Sequence, residues 1–518
     1  MIRNNLTSCC TAGAAGSASS AVNVSPGMRA EIRAPASADP SEAVHPGIKE
    51  QLLRSSEFDA DIAVIGSGPA GYYAAIRAAQ LGARTVVVEK GAVGGVCLNV
   101  GCIPTKTLLS SVHVLDQVRN AETFGVAAKN CSIDVKRMME RKNAIVEQLT
   151  GGVEGLFRKN KIRLVRGHGG ITDPHTVTVD TQDGGEAIKS AKIIIATGSV
   201  PALLPLPGFE IGENVWTSTE ALEFSKIPKS MLIVGAGAIG LEAGYAFARM
   251  GAEVLVVEMM SQILPAADTE MANELQERLE AAGMKFRLNA TVSRAEDVND
   301  GKKVYVKSGE TEEAVKCQKV LLAVGRRAVL EAVGLDEVGV KHDTRKILVN
   351  EHMQTNFPNI YAAGDCVGEP MLAHVGWAEG VVAVEHAMGL DVKMDYKAFP
   401  SCVYTKPEFA SVGLTEEQAR DKHGEVRTGK FSFKHNGKAL GIGETEGFIK
   451  VVAEPKYSSI LGVHMVGPHV TDLIAEAVLA IKNELTVDEV IAAIHPHPTL
   501  SEVVQEAAMD TQGRAIHK

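Results

Sequence analysis

Cysteine is scarce in this chain: eight residues in 518. That excludes a small secreted scaffold stapled by disulfides and favours a reducing compartment, where a conspicuous cysteine pair is more often chemical than structural. Blocks of lysine and arginine are also missing, and the net charge is −10. Neither nucleic acid nor an anionic membrane surface has a footprint to bind. No uninterrupted apolar run reaches the ~18 residues that a membrane-spanning helix needs. The nearest candidate, Ser230 to Ala248, is broken by Glu242 and by repeated glycines. A secretory signal would need an apolar core near the N-terminus, and none is there. What remains is ordinary for a globular protein, with 45% apolar and 22% charged residues on a chain long enough for two to four domains.

Residues 1–57 read differently from the rest. They are rich in Ala, Ser, Gly and Pro without a sustained hydrophobic period, which predicts a disordered extension. The first 30 residues hold no acid but do hold Arg3 and Arg29, which faintly suits an organellar transit peptide. A plain linker, or a start at Met28, is the simpler reading. The expected location is therefore cytoplasmic, with the mitochondrial matrix or a plastid as the alternative if the extension is a transit peptide.

From Phe58 a regular grammar sets in. "DADIAVIGSGPAGYYAAIRAAQLGARTVVVEK" and "KSMLIVGAGAIGLEAGYAFARMGAEVLVVEM" each read as strand, glycine turn, helix, strand. Gly66, Gly68 and Gly71 are followed by Glu89, 23 positions after the first glycine. Gly235, Gly237 and Gly240 are followed by Glu258, again 23 positions on. In this context the first glycine permits the tight turn and the second lets a pyrophosphate approach the backbone. The third lets helix and strand pack closely. The helix N-terminus adds amide donors and positive dipole. Glu89 and Glu258 are placed to accept hydrogen bonds from ribose hydroxyls. Glu258 would repel a 2′-phosphate, and Met259 and Met260 after it offer no arginine to hold one, so the second site should prefer NAD over NADP.

"GGVCLNVGCIPTK" (Gly94–Lys106) places Cys97 and Cys102 five positions apart. A zinc site would need a further close ligand pair, and none follows; no metal is expected. A buried inert pair and a redox disulfide remain. Pro104 suits the first turn of a helix, whose terminal amides favour thiolate, and adjacency to a nucleotide unit moves the redox reading ahead. Near the C-terminus, His497 and Glu502 suit a proton acceptor with an orienting carboxylate. Thr499-Leu-Ser-Glu502 also matches a capping box. His495 and His497 both precede proline, so spacing does not choose between them.

The cysteine stretch resembles the active-site signature of the pyridine nucleotide–disulfide oxidoreductases, in the wording of members that oxidise dihydrolipoamide. The resemblance runs from about Asp59 to the C-terminus and includes "ATGS" (Ala196–Ser199), "AAGDCVG" (Ala362–Gly368), "YTKPEFASVGLTEEQA" (Tyr404–Ala419) and "HPHPTLSEV" (His495–Val503). It implies an α/β fold: two Rossmann-like dinucleotide-binding domains plus a C-terminal α+β dimerisation domain. The implied boundaries are 58–205 with 330–398 for FAD, 206–329 for NAD and 399–518 for the interface domain. The resemblance places Asp365 on the flavin's ribityl chain, with Gly169 and Ala373 also lining FAD, and Gly325 along NAD. It sets Lys106 beside the flavin, paired with Glu242. It selects His497 as the base and Glu502 as its partner, acting on the Cys97–Cys102 disulfide of a second subunit, with Cys97 as the interchange thiol.

The implied function is oxidation of protein-bound dihydrolipoamide with reduction of NAD+. The partners would be a second copy of the chain and the lipoyl domains of a 2-oxoacid dehydrogenase E2 or of a glycine cleavage H protein. A sibling reductase for another disulfide is the runner-up. It is weakened by Ile76, where glutathione-type members carry an arginine (Arg77 follows), and by Glu258. A mercuric-type member would end in a vicinal cysteine pair, whereas this chain ends "TQGRAIHK". A non-catalytic FAD-binding subunit would be expected to lose a cysteine or the His–Glu pair. "GRRAVLEAVGL" departs from the usual wording by lacking a proline after "GRR". Cys131, Cys317, Cys366 and Cys402 read as packing or surface cysteines, and Cys9 and Cys10 lie in the extension.

Overall fold

The computed structural model describes residues 57–129, 131–181 and 184–518, so the extension up to residue 56 lies outside the described residues. Strand Ala60–Ile65 pairs in parallel with Thr85–Glu89 on one side and Gly184–Ile195 on the other. All of the residues in Ala60–Ile65 and Thr85–Glu89 are buried, as expected for β-branched strands covered on both faces. Arg163–Arg166 extends this sheet beyond Thr85–Glu89, and Ile360–Ala362 joins in parallel from far along the chain. Thr176–Thr181 and His168–Asp173 add an antiparallel arm, giving seven strands.

The second glycine unit builds a five-stranded parallel sheet in the order Met284–Arg287, Glu253–Val257, Ser230–Val234, Lys319–Leu322, Val215–Trp216. An antiparallel meander, Ala290–Val298, Gly301–Ser308 and Thr311–Cys317, is attached to it in sequence. After residue 399 comes a five-stranded antiparallel sheet in the order Ser401–Val403, Glu408–Gly413, Ile460–Gly467, Phe448–Ala453, Arg427–Ser432. Helices Val470–Lys482 and Glu502–Asp510 pack against it through Ile474, Ala477, Val503 and Ala507. The architecture is the expected α/β one, with two parallel nucleotide-fold sheets and a C-terminal α+β unit. Among the described residues, no helix is long and apolar enough to cross a membrane.

The two glycine turns are near copies. Helix Pro69–Gln80 starts with Gly68 as N-cap and proline at its first position, which needs no amide there. Gly66 and Gly235 have φ of +101° and +104°, a region that side-chain-bearing residues rarely enter. A Cβ on Gly71 would lie 1.9 Å from the Gly66 carbonyl oxygen, and one on Gly240 would lie 2.1 Å from that of Gly235. A Cβ on Gly237 would meet nothing within 4 Å. Gly240→Ala should therefore lower stability by about 1–3 kcal/mol through forced backbone displacement, whereas Gly237→Ala should leave the thermal midpoint nearly unchanged. Equal midpoints for the two variants would contradict the close-packing role of the third glycine.

Candidate active site

The sequence from Gly94 to Lys106 forms a short helix, Gly95–Val100, followed by the long helix Cys102–Arg119. The long helix begins at Cys102 with Gly101 as N-cap, so Pro104 sits within its first turn as expected. A Cβ on Gly101 would lie 2.9 Å from the Val96 carbonyl oxygen and 3.3 Å from Cys97 Cα. This tight return folds the two cysteine segments against each other. Both thiols are free and half-buried.

Their environments are unequal. The Cys97 thiol donates to Cys102, and this hydrogen bond, with the Lys106 charge one turn along and the Cys102 amide, draws Cys102 down to about 7 against the opposing effect of burial. The same hydrogen bond, together with burial, pushes Cys97 well above its ordinary value. The thiolate of the reduced pair is thus favoured on Cys102 over Cys97. Spacing alone leaves the two cysteines equivalent, whereas their folded surroundings do not. Alkylation of the reduced protein by iodoacetamide should then show one thiolate that is present above pH about 7 and lost as pH falls through that value. A single midpoint near the ordinary cysteine value would count against this asymmetry.

One cavity of about 550 Å³ gathers most of the predicted residues: Gly66, Gly68, Glu89, Cys97, Cys102, Lys106, Gly169, Asp365, Ala373 and, from the second glycine unit, Glu242. Lys106 Nζ donates to Glu242 at 2.8 and 3.0 Å, and Glu242 is 3% exposed. Its Oε1 also accepts from the Tyr404 amide at 3.0 Å, and the Lys106 ammonium lies 4.5 Å from the Tyr404 ring centroid. The lysine is thus tied by sequence-distant groups into a fixed cation at the cavity wall. Gly71 is absent from the lining, consistent with a packing role. Cys402, read as a packing cysteine, also lines the cavity, and burial pushes its thiol up to about 12. Cys317 and Cys366 are buried and Cys131 is exposed.

Two residues here were not singled out from sequence. Ser199, at the end of "ATGS", donates its hydroxyl to Asp365. Arg326 donates to Ser199 Oγ at 2.7 Å and to the Ser199 carbonyl oxygen at 2.9 Å. The contact follows from pairing of strand Arg326–Ala328 with Ser199–Pro201. Both motifs were visible as "ATGS" and "GRR", but only the strand pairing reveals that they meet at Asp365.

Each acid that follows a glycine turn is latched to that turn. Glu89 Oε2 accepts from the Ser67 amide at 2.8 Å and hydroxyl at 2.6 Å, and Oε1 accepts from Gly91 N at 2.7 Å. Glu258 Oε2 accepts from Ala236 N at 2.7 Å, and Oε1 from Met260 N at 2.9 Å. These carboxylates therefore shape the turns as well as offering their remaining lone pairs to a ribose. Gly235, Gly237, Gly240, Glu258 and Gly325 stand outside the cavity, at the ends of strands Ser230–Val234, Glu253–Val257 and Lys319–Leu322 and at the start of helix Ala238–Met250. The turns fit the two dinucleotides, because a Cβ on Gly68 would come no nearer than 3.9 Å to any atom and one on Gly237 or Gly325 would meet nothing within 4 Å. Those faces are free for a phosphate or a nucleotide to approach the backbone.

The C-terminal histidines separate clearly. His495 Nε2 bonds Glu476 at 2.9 Å and its side chain is 6% exposed. His497 Nδ1 lies 2.7 Å from Glu502 Oε1 with the ring 79% exposed. Glu502 Oε2 also accepts from Thr499 N at 2.7 Å. Burial opposes ionisation, yet the Thr499 amide and the His497 ring hold the Glu502 carboxyl below its ordinary value. The capping box does not close: the helix begins at Glu502, and the Thr499 hydroxyl donates to Pro496 O instead. His497 and Glu502 form no part of the cavity that holds the cysteines.

Comparison with known proteins agrees with this construction. The family model for pyridine nucleotide-disulphide oxidoreductases matches residues 60–380, and that family's dimerisation domain matches 399–508. A dihydrolipoyl dehydrogenase of Bacillus subtilis is 43% identical over 458 residues, covering 88% of this chain and 99% of the relative. A mitochondrial dihydrolipoyl dehydrogenase of Pisum sativum is 42% identical, covering 91% and 95%. Among solved structures, the HOCl-induced flavoprotein disulfide reductase RclA from Escherichia coli superposes with a TM-score of 0.77 at 26% identity, covering 86% of this chain and 99% of that one. Members of the matched family use FAD and NAD(H). From its paired cysteines, twin nucleotide turns and near full-length matches, the chain belongs to the pyridine nucleotide-disulphide oxidoreductase family.

Proposed function

We propose that this chain oxidises dihydrolipoyl groups carried by partner proteins to lipoyl disulfides, with NAD+ as the electron acceptor. The observation that carries the reading is the meeting, in one cavity, of Cys97, Cys102 and the Lys106–Glu242 pair. The relatives named dihydrolipoyl dehydrogenase support it. Residues 58–205 with 330–398 would hold FAD, 206–329 NAD, and 399–518 would form the interface of a homodimer, as the dimerisation-domain match supports. The lipoyl arm would come from a 2-oxoacid dehydrogenase or glycine cleavage complex.

When bound, FAD would supply the two-electron chemistry that links the reduced cysteines to hydride transfer with NAD+. The chain's own residues do the rest. A substrate thiolate attacks Cys97 Sγ, a substrate–Cys97 disulfide forms, the Cys97–Cys102 bond breaks, and Cys102 leaves as the thiolate its helix terminus favours. His497 takes the proton of the second substrate thiol, which displaces Cys97 and closes the lipoyl disulfide. Glu502 holds the ring by its Nδ1, leaving Nε2 as the acceptor. Lys106, fixed by Glu242, would supply positive charge beside the flavin. Asp365, held by Ser199, would bind the flavin's ribityl chain.

The runner-up, a glutathione-type reductase, loses its candidate carboxylate anchor, because Arg77 is paired with Glu385 at 2.7 Å. One assay set tests the choice: dihydrolipoamide with NAD+ against glutathione disulfide with NADPH. Turnover should be confined to the first. Like-charge repulsion at Glu258 should favour NAD+ over NADP+ by about 100-fold or more in kcat/KM. Robust activity only in the second assay would overturn the proposal.

A further inference from the structure

We propose that Met259 and Met260 form a peroxide-sensitive wall of the nicotinamide-nucleotide site, so that their oxidation weakens NAD+ binding. The inference rests on the reading of the second glycine unit as the NAD site. It starts from the internal correspondence of the two units. Glu89 and Glu258 occupy equivalent places, each latched to the amide following its first glycine and to the amide two residues beyond itself. Lys90 and Gly91 in the first unit therefore correspond to Met259 and Met260 in the second. Lys90 and Gly91 line the first unit's cavity. By the same placement, the two methionines border the nucleotide that the second turn receives.

Their surroundings make them both rigidly mounted and accessible. The Met260 amide is fixed on Glu258, and Asn289 N donates to the Met260 carbonyl at 3.0 Å. Glu258 N and Ala290 N complete the stitching to the neighbouring turn, at 2.9 Å each, to Arg287 O and Glu258 O. The side chains nevertheless stand 68% and 47% exposed. Among the described residues, no other methionine is exposed. Exposed thioethers without a packing role suit contact with a planar base, since sulfur is polarisable and favours aromatic rings. They are also the methionines that a dissolved oxidant reaches first. A hydroperoxide transfers one oxygen atom to each sulfur: the O–O bond breaks, an S–O bond forms, sulfur loses two electrons, and water or an alcohol leaves. The product is a polar sulfoxide where an apolar face is needed.

The test uses the FAD-loaded enzyme and calorimetric titration with NAD+. Mild hydrogen peroxide treatment is followed by peptide mass spectrometry until residues 259 and 260 each carry one added oxygen. The NAD+ Kd should then rise about tenfold, while flavin content stays unchanged, and methionine sulfoxide reductase should restore the original Kd. The M259L/M260L enzyme should hold its own starting Kd through the same treatment. An unchanged Kd with both sulfoxides in place, or an equal loss in M259L/M260L, would overturn the inference while leaving the NAD reading intact. Failure of untreated enzyme to bind NAD+ at all would sink that reading itself, and this inference with it.

Discussion

Cys97→Ser lowers dihydrolipoamide turnover by at least about 10³-fold, as loss of a covalent nucleophile generally does, and leaves FAD bound. The substitution removes the sulfur that must form the mixed disulfide, and a serine oxygen cannot be reduced and reformed in that role. It disturbs little else: Cys97 lies in the short helix Gly95–Val100, whose backbone is held by Gly94 and Gly101 rather than by the thiol. The groups proposed to hold the flavin, namely the glycine turn, Glu89 and Asp365, are left untouched. The measurement is steady-state turnover beside the visible flavin spectrum of the purified variant. Loss of flavin together with activity would make the cysteine pair mainly structural and would sink the redox assignment.

His497→Gln should cost about 10²–10⁴-fold in kcat/KM, the usual range for removing a positioned general base. Glutamine keeps a hydrogen-bonding group near Glu502 but has no titrating nitrogen. The geometry adds a stronger test. His497 stands largely in solvent and outside the cavity of its own chain, so the reading requires it to serve the cysteines of a second copy. Refolding or exchanging C97S with H497Q subunits places one intact cysteine pair opposite one intact histidine in each mixed dimer. Random mixing makes about half the dimers heterodimers, each with one live site, for about a quarter of wild-type activity. No recovery in a preparation shown to contain heterodimers would mean that the base and the disulfide belong to one chain, and the cross-subunit reading would fail.

Much of this was legible before any coordinates, for reasons particular to each segment. The glycine turns are readable because their chemistry is local: a turn with positive φ, a close helix–strand approach and an acid one strand later impose fixed residue types at fixed spacing. Gly71 and Gly240 illustrate this, since the atoms their Cβ would strike belong to the same turn. Pro104 falls in the first turn of its helix as its chemistry suggests, because a proline there gives up no intrahelical amide bond. The capping-box pattern at Thr499 was only half realised. Glu502 accepts the Thr499 amide as that motif demands, but its other oxygen goes to His497, so one carboxylate serves both readings.

The amino-acid order alone determined the twin nucleotide units, the candidate redox pair and the preference expected at Glu258, because each rests on a pattern within some thirty residues, and a series of such local motifs carried the family resemblance. Tertiary structure decided what depends on residues far apart in the chain. It seated Lys106 on Glu242 and Tyr404, joined Ser199 and Arg326 at Asp365, and buried His495 against Glu476 while leaving His497 in solvent. It also lowered Cys102 and raised Cys97, chiefly because folding sets the two thiols in a hydrogen bond to each other, with the Lys106 charge close by. Spacing along a chain constrains which backbone turns can form. The direction of a side chain and the charge around it are fixed by partners that only folding brings near.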